Sequence, residues 1–134
     1  MAEELQLRIV TPRRPVLEET VLEVTAPGTA GEFGVLPEHA NFLTSLEAGI
    51  LSYRDSRAVR RLAVRGGFAE VSDNVVTVLA DAAERPEEVD APKAEADLRA
   101  AEAKLKTLVP VDPEYAVADT DRRWAEARLQ LVRK

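Results

Sequence analysis

The feature that most constrains this chain is a change in residue usage near Pro86. All six glycines precede this proline, and Val, Ile and Thr together number 19 in residues 1–86 but 7 in residues 87–134. Alanine contributes 10 of the residues after the boundary. Because β-branched side chains fit a pleated surface and alanine favours a helix, the sequence predicts a β-rich body, residues 1–86, and a helical tail, residues 87–134.

Short apolar runs separated by turn residues fill the body. Residues 5–9 alternate between apolar and polar side chains, and further runs lie at 21–24, 50–53, 62–64, 68–71 and 75–79. The breaks between them include Gly66-Gly67 and residues 72–74, whose side chains suit tight turns. Short strands without intervening helices predict an antiparallel sandwich or a flattened barrel.

The tail has the pattern of two helices joined by residues 109–113. Asp90 and Asp112 are each followed within two residues by a proline, which is the expected start of a helix. One apolar stripe comprises Ala94, Leu98, Ala101, Leu105 and Leu108, and the other comprises Val117, Thr120, Trp124, Ala127 and Leu131. We expect an antiparallel hairpin that lies on the body, lies on a partner, or moves between the two, because 48 residues cannot build a core alone.

Composition excludes several classes of protein. There is no cysteine, so disulfides and thiolate chemistry are excluded, and the net charge of -6 is unlike that of a general nucleic-acid binder. No run of 18 apolar residues is present to span a membrane. The first residues, MAEELQLR, lack the basic and apolar segments of a secretory signal, so we expect no export.

Catalytic and metal-binding patterns are weak. His39 is the single histidine, and with Glu38 or Glu32 it would form an acid–base or metal couple, although a histidine that orders a loop or contacts a partner is the alternative. A hydrolase that uses this couple would lack a nucleophile motif. The glycine-rich stretch 27–34 lacks the Gly-Lys-Ser/Thr ending of a phosphate-binding loop. We therefore interpret that stretch as a loop with positive φ at several positions.

The C-terminal end is locally cationic. Arg122, Arg123, Arg128, Arg133 and Lys134 are accompanied from residue 122 onward by one acid, Glu126. A helix with such an end can bind an acidic partner surface, although a solvated face is the alternative.

Several motifs of the body together resemble the ε subunit family of bacterial F-type ATP synthases, end to end and in the same order. They are Ile9-Val10-Thr11-Pro12, the segment from Pro27-Gly28 through Gly31-Glu32-Phe33-Gly34 to His39, Leu46-Glu47-Ala48-Gly49, Gly66-Gly67-Phe68-Ala69-Glu70-Val71, and residues 76–84. The resemblance implies a ten-stranded antiparallel β-sandwich and a C-terminal two-helix antiparallel hairpin.

The resemblance also implies a non-catalytic role at the cytoplasmic face of the bacterial inner membrane, peripheral to it. The body would contact the γ subunit and the c-ring, with Glu32 and His39 facing the ring. The tail would permit turnover when folded on the body and inhibit ATP hydrolysis when extended into the catalytic α/β hexamer. Arg122, Arg123, Arg128 and Arg133 would then meet an acidic surface of the catalytic β subunit.

Some members of that family bind ATP through an Ile/Leu-Asp-x-x-Arg-Ala motif and arginines of the second helix. The matching residues here are Val89, Asp90, Lys93 and Ala94, with Arg123 and Arg128. Lysine in place of arginine lacks the planar fork, and a spacing of five places the two arginines on different helix faces. We expect ATP affinity no better than millimolar.

Two other functions stay open from the sequence alone. A β-sandwich adaptor whose hairpin binds another protein would show no preference for γ or the ring. A small hydrolase would use His39 with Glu32 or Glu38, and His39→Ala would abolish its turnover.

Overall fold

The structure is a computed structural model that describes residues 3–133. Within them the chain forms eight strands, a short 3-10 turn at Pro86–Glu88 and two helices. The elements are β1 (Leu5–Val10), β2 (Pro15–Val21), β3 (Glu23–Gly28), β4 (Gly31–Val35), β5 (Phe42–Arg54), β6 (Val59–Ser72), β7 (Val75–Ala80), β8 (Ala83–Glu84), α1 (Ala91–Leu105) and α2 (Pro113–Val132).

The strands form a sandwich with one core. Their order is β2-β1-β7-β6-β5-β3-β4, and β8 pairs with β6. Buried side chains of β1, such as Leu7, share one apolar cluster with Val24 of β3 and Val35 of β4. Strands from opposite ends of the order thus face each other across the core, and the predicted sandwich is confirmed. It is not wholly antiparallel, because β1 and β7 pair in parallel.

The expected number of ten strands is wrong, since the described residues contain eight. Strands β5 and β6 are 13 and 14 residues long, and they keep one register along their whole length, interrupted only where Glu47 and Gly66 would pair. Gly66 and Gly67 have φ of 67° and 109° there, a backbone conformation that glycine adopts without a steric penalty. The glycine pair therefore lies inside one long strand, where the sequence predicts a break between two.

The tail forms the predicted pair of helices, which pack on each other. Asp90 is the N-cap of α1, where its Oδ1 accepts a hydrogen bond from the Lys93 backbone N–H at 3.1 Å. Asp112 stands at the N-cap of α2 but does not cap it with its side chain. Its Oδ2 accepts instead from the Val109 N–H at 3.1 Å, which closes the turn between the helices.

Helix α2 has two buried stripes because it packs on the sheet and on α1. Trp124, Ala127 and Leu131 are buried as predicted, whereas Val117 is 59% exposed and Ala118 is buried in its place. The second stripe, which the sequence analysis left out, comprises Ala118, Ala125 and Leu129. In α1 full burial is confined to Ala94 and Ala101, because this helix is the outer layer.

Candidate interaction surfaces

The tail lies on the outside of the sandwich through a small apolar contact. Trp124, Ala127 and Leu131 of α2 form a cluster with Ala48 of β5 and Ala63 of β6. Ile50, Ala82 and Val89 are half-buried against the same cluster. Alanine on both sides lets the helix approach closely but removes little apolar area from water, so the contact is weak for its length.

Two ion pairs flank this apolar contact and join α2 to the sheet. Arg65 Nη2 of β6 donates to Asp121 Oδ1 at 2.6 Å, and Arg123 Nη1 donates to Glu47 Oε2 of β5 at 3.1 Å. All four side chains are about one-third to two-fifths exposed, so water screens both pairs. We call these two pairs the tail clasp.

The predicted basic residues of the tail are occupied within the chain in this docked arrangement. Arg122 bonds Asp119 at 2.6 Å and Glu126 at 3.0 Å. Arg123 reaches Asp119 at 3.1 Å as well as its clasp partner. The guanidinium groups, with Arg122 first, hold the pKa of the Asp119 carboxyl below its usual value. These arginines therefore do not form an open basic patch while the tail is docked.

The remaining predicted basic residues differ from these two. Arg128 is 4% exposed and bonds Asp97 of α1 at 3.0 Å. Arg133 follows the end of α2 and is exposed, and within residues 3–133 it makes no ion pair. Lys134 lies outside the described residues.

The residues predicted for ATP are brought together in part. Lys93 and Arg128 line one cavity of about 420 Å³ between the helices and the sheet. Asp90 caps α1 and Ala94 is fully buried beneath it. Val89 packs against the apolar cluster. Arg123 is turned away towards Glu47, which agrees with the five-residue spacing.

Glu84 of β8 also lines this cavity and was missed from the sequence. Its Oε1 is buried and has no hydrogen-bond partner in the described residues. Burial raises the pKa of the Glu84 carboxyl, while the charge of Arg128 opposes that shift. Its position in a two-residue strand gave no sequence pattern that could have identified it.

Glu32 lies in a hairpin, and the glycine-rich stretch is not the loop that we expected. Residues 31–35 form β4, which pairs with β3, and Gly31 is the one glycine of the stretch with positive φ, at 125°. Gly28 is needed for a different reason, because a Cβ there would lie 2.8 Å from the Gly31 carbonyl oxygen. Glu32 is exposed on this edge hairpin.

His39 is held next to the same hairpin by aromatic contacts. Its ring lies edge-on to Phe42 at 6.1 Å between centroids, and Phe42 contacts Phe33 of β4 at 5.3 Å. The His39 Nδ1 lies 2.6 Å from the Ala40 carbonyl oxygen. Glu38 contacts Asn74, whose Oδ1 accepts from the Glu38 N–H at 2.7 Å. The structure therefore places Glu32 and His39 in neighbouring segments without forming an acid–base pair.

An exposed apolar face lies on strands β5, β6 and β7, on the side of the sheet that points away from the sandwich core. The sequence analysis above does not predict it. Leu43, Phe68 and Leu79 are 68%, 57% and 55% exposed. Phe68 and Leu79 are direct cross-strand partners, and Leu43 lies one strand away opposite Glu70. The alternation of side chains along the strands contained this signal. Because Ala69 and Val78 point into the core, the adjacent Phe68 and Leu79 must point to the other side of the sheet. We call these three residues the bare face.

Residues 3–133 contain no candidate metal centre and no helix that could span a membrane. No group of three or more His, Asp or Glu side chains there is placed to hold a metal ion. Neither α1 nor α2 is long and apolar enough to cross a membrane.

Comparison with known proteins points to one family. Residues 4–86 match the family described as ATP synthase, Delta/Epsilon chain, beta-sandwich domain. The ATP synthase epsilon chain of Geobacter sulfurreducens is 47% identical over 134 residues, which is 100% of this chain and 97% of that relative. The ATP synthase epsilon chain of Geobacter metallireducens is 46% identical with the same coverage.

Solved structures give the same result. A chain in the cryo-EM structure of the Euglena gracilis mitochondrial ATP synthase, OSCP/F1/c-ring in rotational state 1, has a TM-score of 0.79 at 26% identity. The match covers 97% of this chain and 81% of that chain. A chain in the central stalk/c-ring structure of the Tetrahymena thermophila mitochondrial ATP synthase has a TM-score of 0.63 at 16% identity, covering 96% of both, and supports the fold alone.

Proposed function

Because this chain belongs to the ATP synthase epsilon-chain family, we propose that it joins the γ subunit to the c-ring and restrains ATP hydrolysis through its tail. Epsilon chains are non-catalytic, so the chain is a non-catalytic subunit of an ATP synthase. We assign the coupling role to residues 1–86 and the regulatory role to residues 87–134. The proposed location is peripheral, on the cytoplasmic face of the bacterial inner membrane.

The bare face is the observation that carries the proposed contact with γ. Three large apolar side chains on adjacent strands are more than half exposed, whereas the helices cover a different part of the sheet, around Ala48 and Ala63. A contiguous apolar patch that is exposed to solvent marks a surface for a protein partner. We propose γ as the occupant, because the epsilon-chain resemblance implies γ as the body's stable partner.

The β3–β4 hairpin carries the proposed contact with the c-ring. Glu32 is exposed there, and the row of Phe33, Phe42 and His39 ties the hairpin to the following loop. A carboxylate beside glycine can approach a basic loop without steric hindrance. We propose Glu32 and His39 as the residues that meet the polar loops of the ring.

For the tail, we propose that extension exchanges internal partners for external ones. When the tail is docked, Arg123 pairs with Glu47 of the sheet and Arg128 pairs with Asp97 of α1, whereas the partners of Arg122 lie on α2 itself. When the tail extends, Arg123 and Arg128 lose these partners and, with Arg122 and Arg133, meet acidic groups of the catalytic β subunit. The two states then differ by a few ion pairs and a small apolar contact, which a partner can overcome.

Replacing Phe68 and Leu79 by glutamine tests the contact with γ. We expect binding to γ to weaken by about 30-fold or more, corresponding to about 2 kcal/mol. The measurement is capture of γ by the immobilised chain, with circular dichroism to verify that the sandwich persists. Val59→Gln is the matched control, because Val59 is 65% exposed on the distant β5–β6 hairpin. Unchanged capture by the double variant would contradict the proposed role of the bare face.

A further inference from the structure

Arg128 is the one charged residue that is buried among residues 3–133, at 4% exposure. A buried guanidinium must be compensated by an acid and by hydrogen bonds, since removing it from water is costly. Its compensation here comes from two elements. Nη2 donates to Asp97 Oδ2 of α1 at 3.0 Å, and the guanidinium carbon lies 5.0 Å from the centre of the Trp124 ring.

This arrangement connects three layers of the molecule. Trp124 packs on the sheet against Ala48 and Ala63, Arg128 lies over Trp124, and Asp97 belongs to the outer helix. The Arg128 hydrogen bond also holds the pKa of the Asp97 carboxyl below its usual value, so the carboxylate stays ionised. Asp97 is therefore the anion through which α1 is tied to the buried cation of α2.

Asp97 has a second cationic neighbour, Lys93, whose Nζ lies 3.3 Å from the same Oδ2 atom. Lysine in the first turn of a helix is unfavourable against the helix dipole, and a lysine that precedes its acid by four residues is the weaker order of such a pair. Helix stability alone thus does not account for Lys93. The shared oxygen thus joins two of the four basic side chains of the cavity to one carboxylate.

We propose that Asp97 is a built-in anion that occupies the place an external phosphate would take between Lys93 and Arg128, and so makes docking of the tail independent of a bound polyanion. The cavity is lined by four basic side chains and three acidic ones, with Asp97 among the acids. The acids leave little net field for a triphosphate. Removing the Asp97 charge would leave two cations without a shared partner.

The consequence concerns the regulatory tail, and to that extent the inference rests on the proposed function. Its test uses the isolated full chain, so that failure of the inference is separate from failure of the regulatory role in the complete enzyme. The variant is Asp97→Asn, which keeps the shape of the side chain and removes its charge. The control is Glu95→Gln, a neighbouring exposed acid of α1. Asp97→Glu, which keeps the carboxylate, is the conservative variant.

The readout is amide hydrogen exchange of α1 and α2, without and with inorganic triphosphate at about 10 mM. We expect the unchanged chain, Glu95→Gln and Asp97→Glu to show no response to triphosphate. In Asp97→Asn the helix amides should exchange about tenfold faster or more, and triphosphate should restore most of the lost protection. The strands of the sandwich serve as an internal reference and should not change.

Three results would overturn the assignment. Triphosphate that protects the tail of the unchanged chain would mean that Asp97 does not fill the site. Faster exchange in Asp97→Asn that triphosphate fails to slow would mean that the two cations do not form an anion site. Wild-type exchange in Asp97→Asn, or loss of protection in the strands as well, would mean that Asp97 does not act by holding the hairpin.

Discussion

Gly67 and Asp55 determine local geometry at two places on the long strand pair. Gly67 lies in the middle part of β6 with φ of 109°, and a Cβ there would collide with the Leu79 carbonyl oxygen and lie 2.8 Å from the Ala80 Cα. Asp55 lies at the opposite end, in the β5–β6 turn. Its Oδ1 accepts from the N–H groups of Arg57 and Ala58 at 2.8 and 2.9 Å, and its Oδ2 accepts from Arg60 at 2.6 Å.

Gly67→Ala should destabilise the sandwich by about 2–4 kcal/mol, because the side chain meets fixed backbone and the φ angle is strained. Gly34→Ala is the control, since a Cβ there finds its nearest neighbour at 4.0 Å, and it should cost less than about 1 kcal/mol. Urea denaturation of both variants checks the difference. Equal midpoints for the two would show that the backbone around Gly67 adapts to a side chain.

The turn at Asp55 should lose its support only in strong acid. Hydrogen bonds from Arg60 first, and then from the Arg57 and Ala58 N–H groups, lower the pKa of Asp55 from 3.8 to about 2. Since the folded-state pKa is the lower one, the contribution to stability is complete above about pH 4 and disappears as the pH falls through about 2. Carboxyl carbon NMR should find the midpoint near 2, and Asp55→Asn should abolish the pH dependence of the turn amides. A midpoint near 4 would exclude these bonds in solution.

At the scale of elements, local sequence signals predicted the helices better than the strands. Asp90 and Pro92 mark the start of α1 because capping depends on neighbouring residues alone. Residues 21–24 looked like one strand, yet β2 ends at Val21 and β3 begins at Glu23. Strands β2 and β4 escaped prediction because charged and glycine residues obscure their alternation. Whether such a segment forms a strand depends on its pairing with distant strands, which no local pattern encodes.

The candidate surfaces show the same difference between what local sequence encodes and what only the fold brings together. The cationic cluster at the end of the tail could be predicted, because its arginines lie close together in the chain. Their partners could not, since Glu47, 76 residues from Arg123, meets it only through the fold. The bare face was overlooked for a related reason: alternation predicts that one side points outward but not whether helices will cover it.

The tail clasp should set how often α2 leaves the sheet. Replacing Glu47 by Gln and Asp121 by Asn removes the partners of Arg123 and Arg65, and two partly exposed pairs together contribute about 1–2 kcal/mol. The amides of α2 should therefore exchange about 5- to 30-fold faster. Glu102→Gln, an exposed acid of α1, is the control. Exchange at the original rate in the double variant would show that the apolar contact alone holds the helix.

At the scale of the whole molecule, the sandwich and the tail are layers that are stabilised to different extents. The sandwich has its own core of large side chains such as Leu7, Ile9 and Leu51. The tail is held by alanine contacts and screened ion pairs. Because the sheet residues beneath α2 include the small Ala48 and Ala63, uncovering them exposes a limited apolar area.

Deleting residues 87–134 should therefore leave assembly intact and raise ATP hydrolysis by the reconstituted ATP synthase. The reason is that both proposed coupling surfaces belong to the sandwich, while the proposed inhibition needs the extended tail. Subunit composition after purification and the rate of ATP hydrolysis are the measurements, with the full-length chain as reference. An enzyme that fails to assemble, or hydrolysis at the original rate, would contradict a regulatory tail.

The stacking of α1 over α2 over the sheet imposes an order on any release of the tail. The outer helix can peel away first, since this breaks the Asp97–Arg128 contact and leaves Trp124 seated on the sheet. Helix α2 can leave the sheet only together with α1 or after α1 has already separated from it. Opening can accordingly pass through a half-released form, in which α1 is free to bind a partner while α2 still covers the sheet.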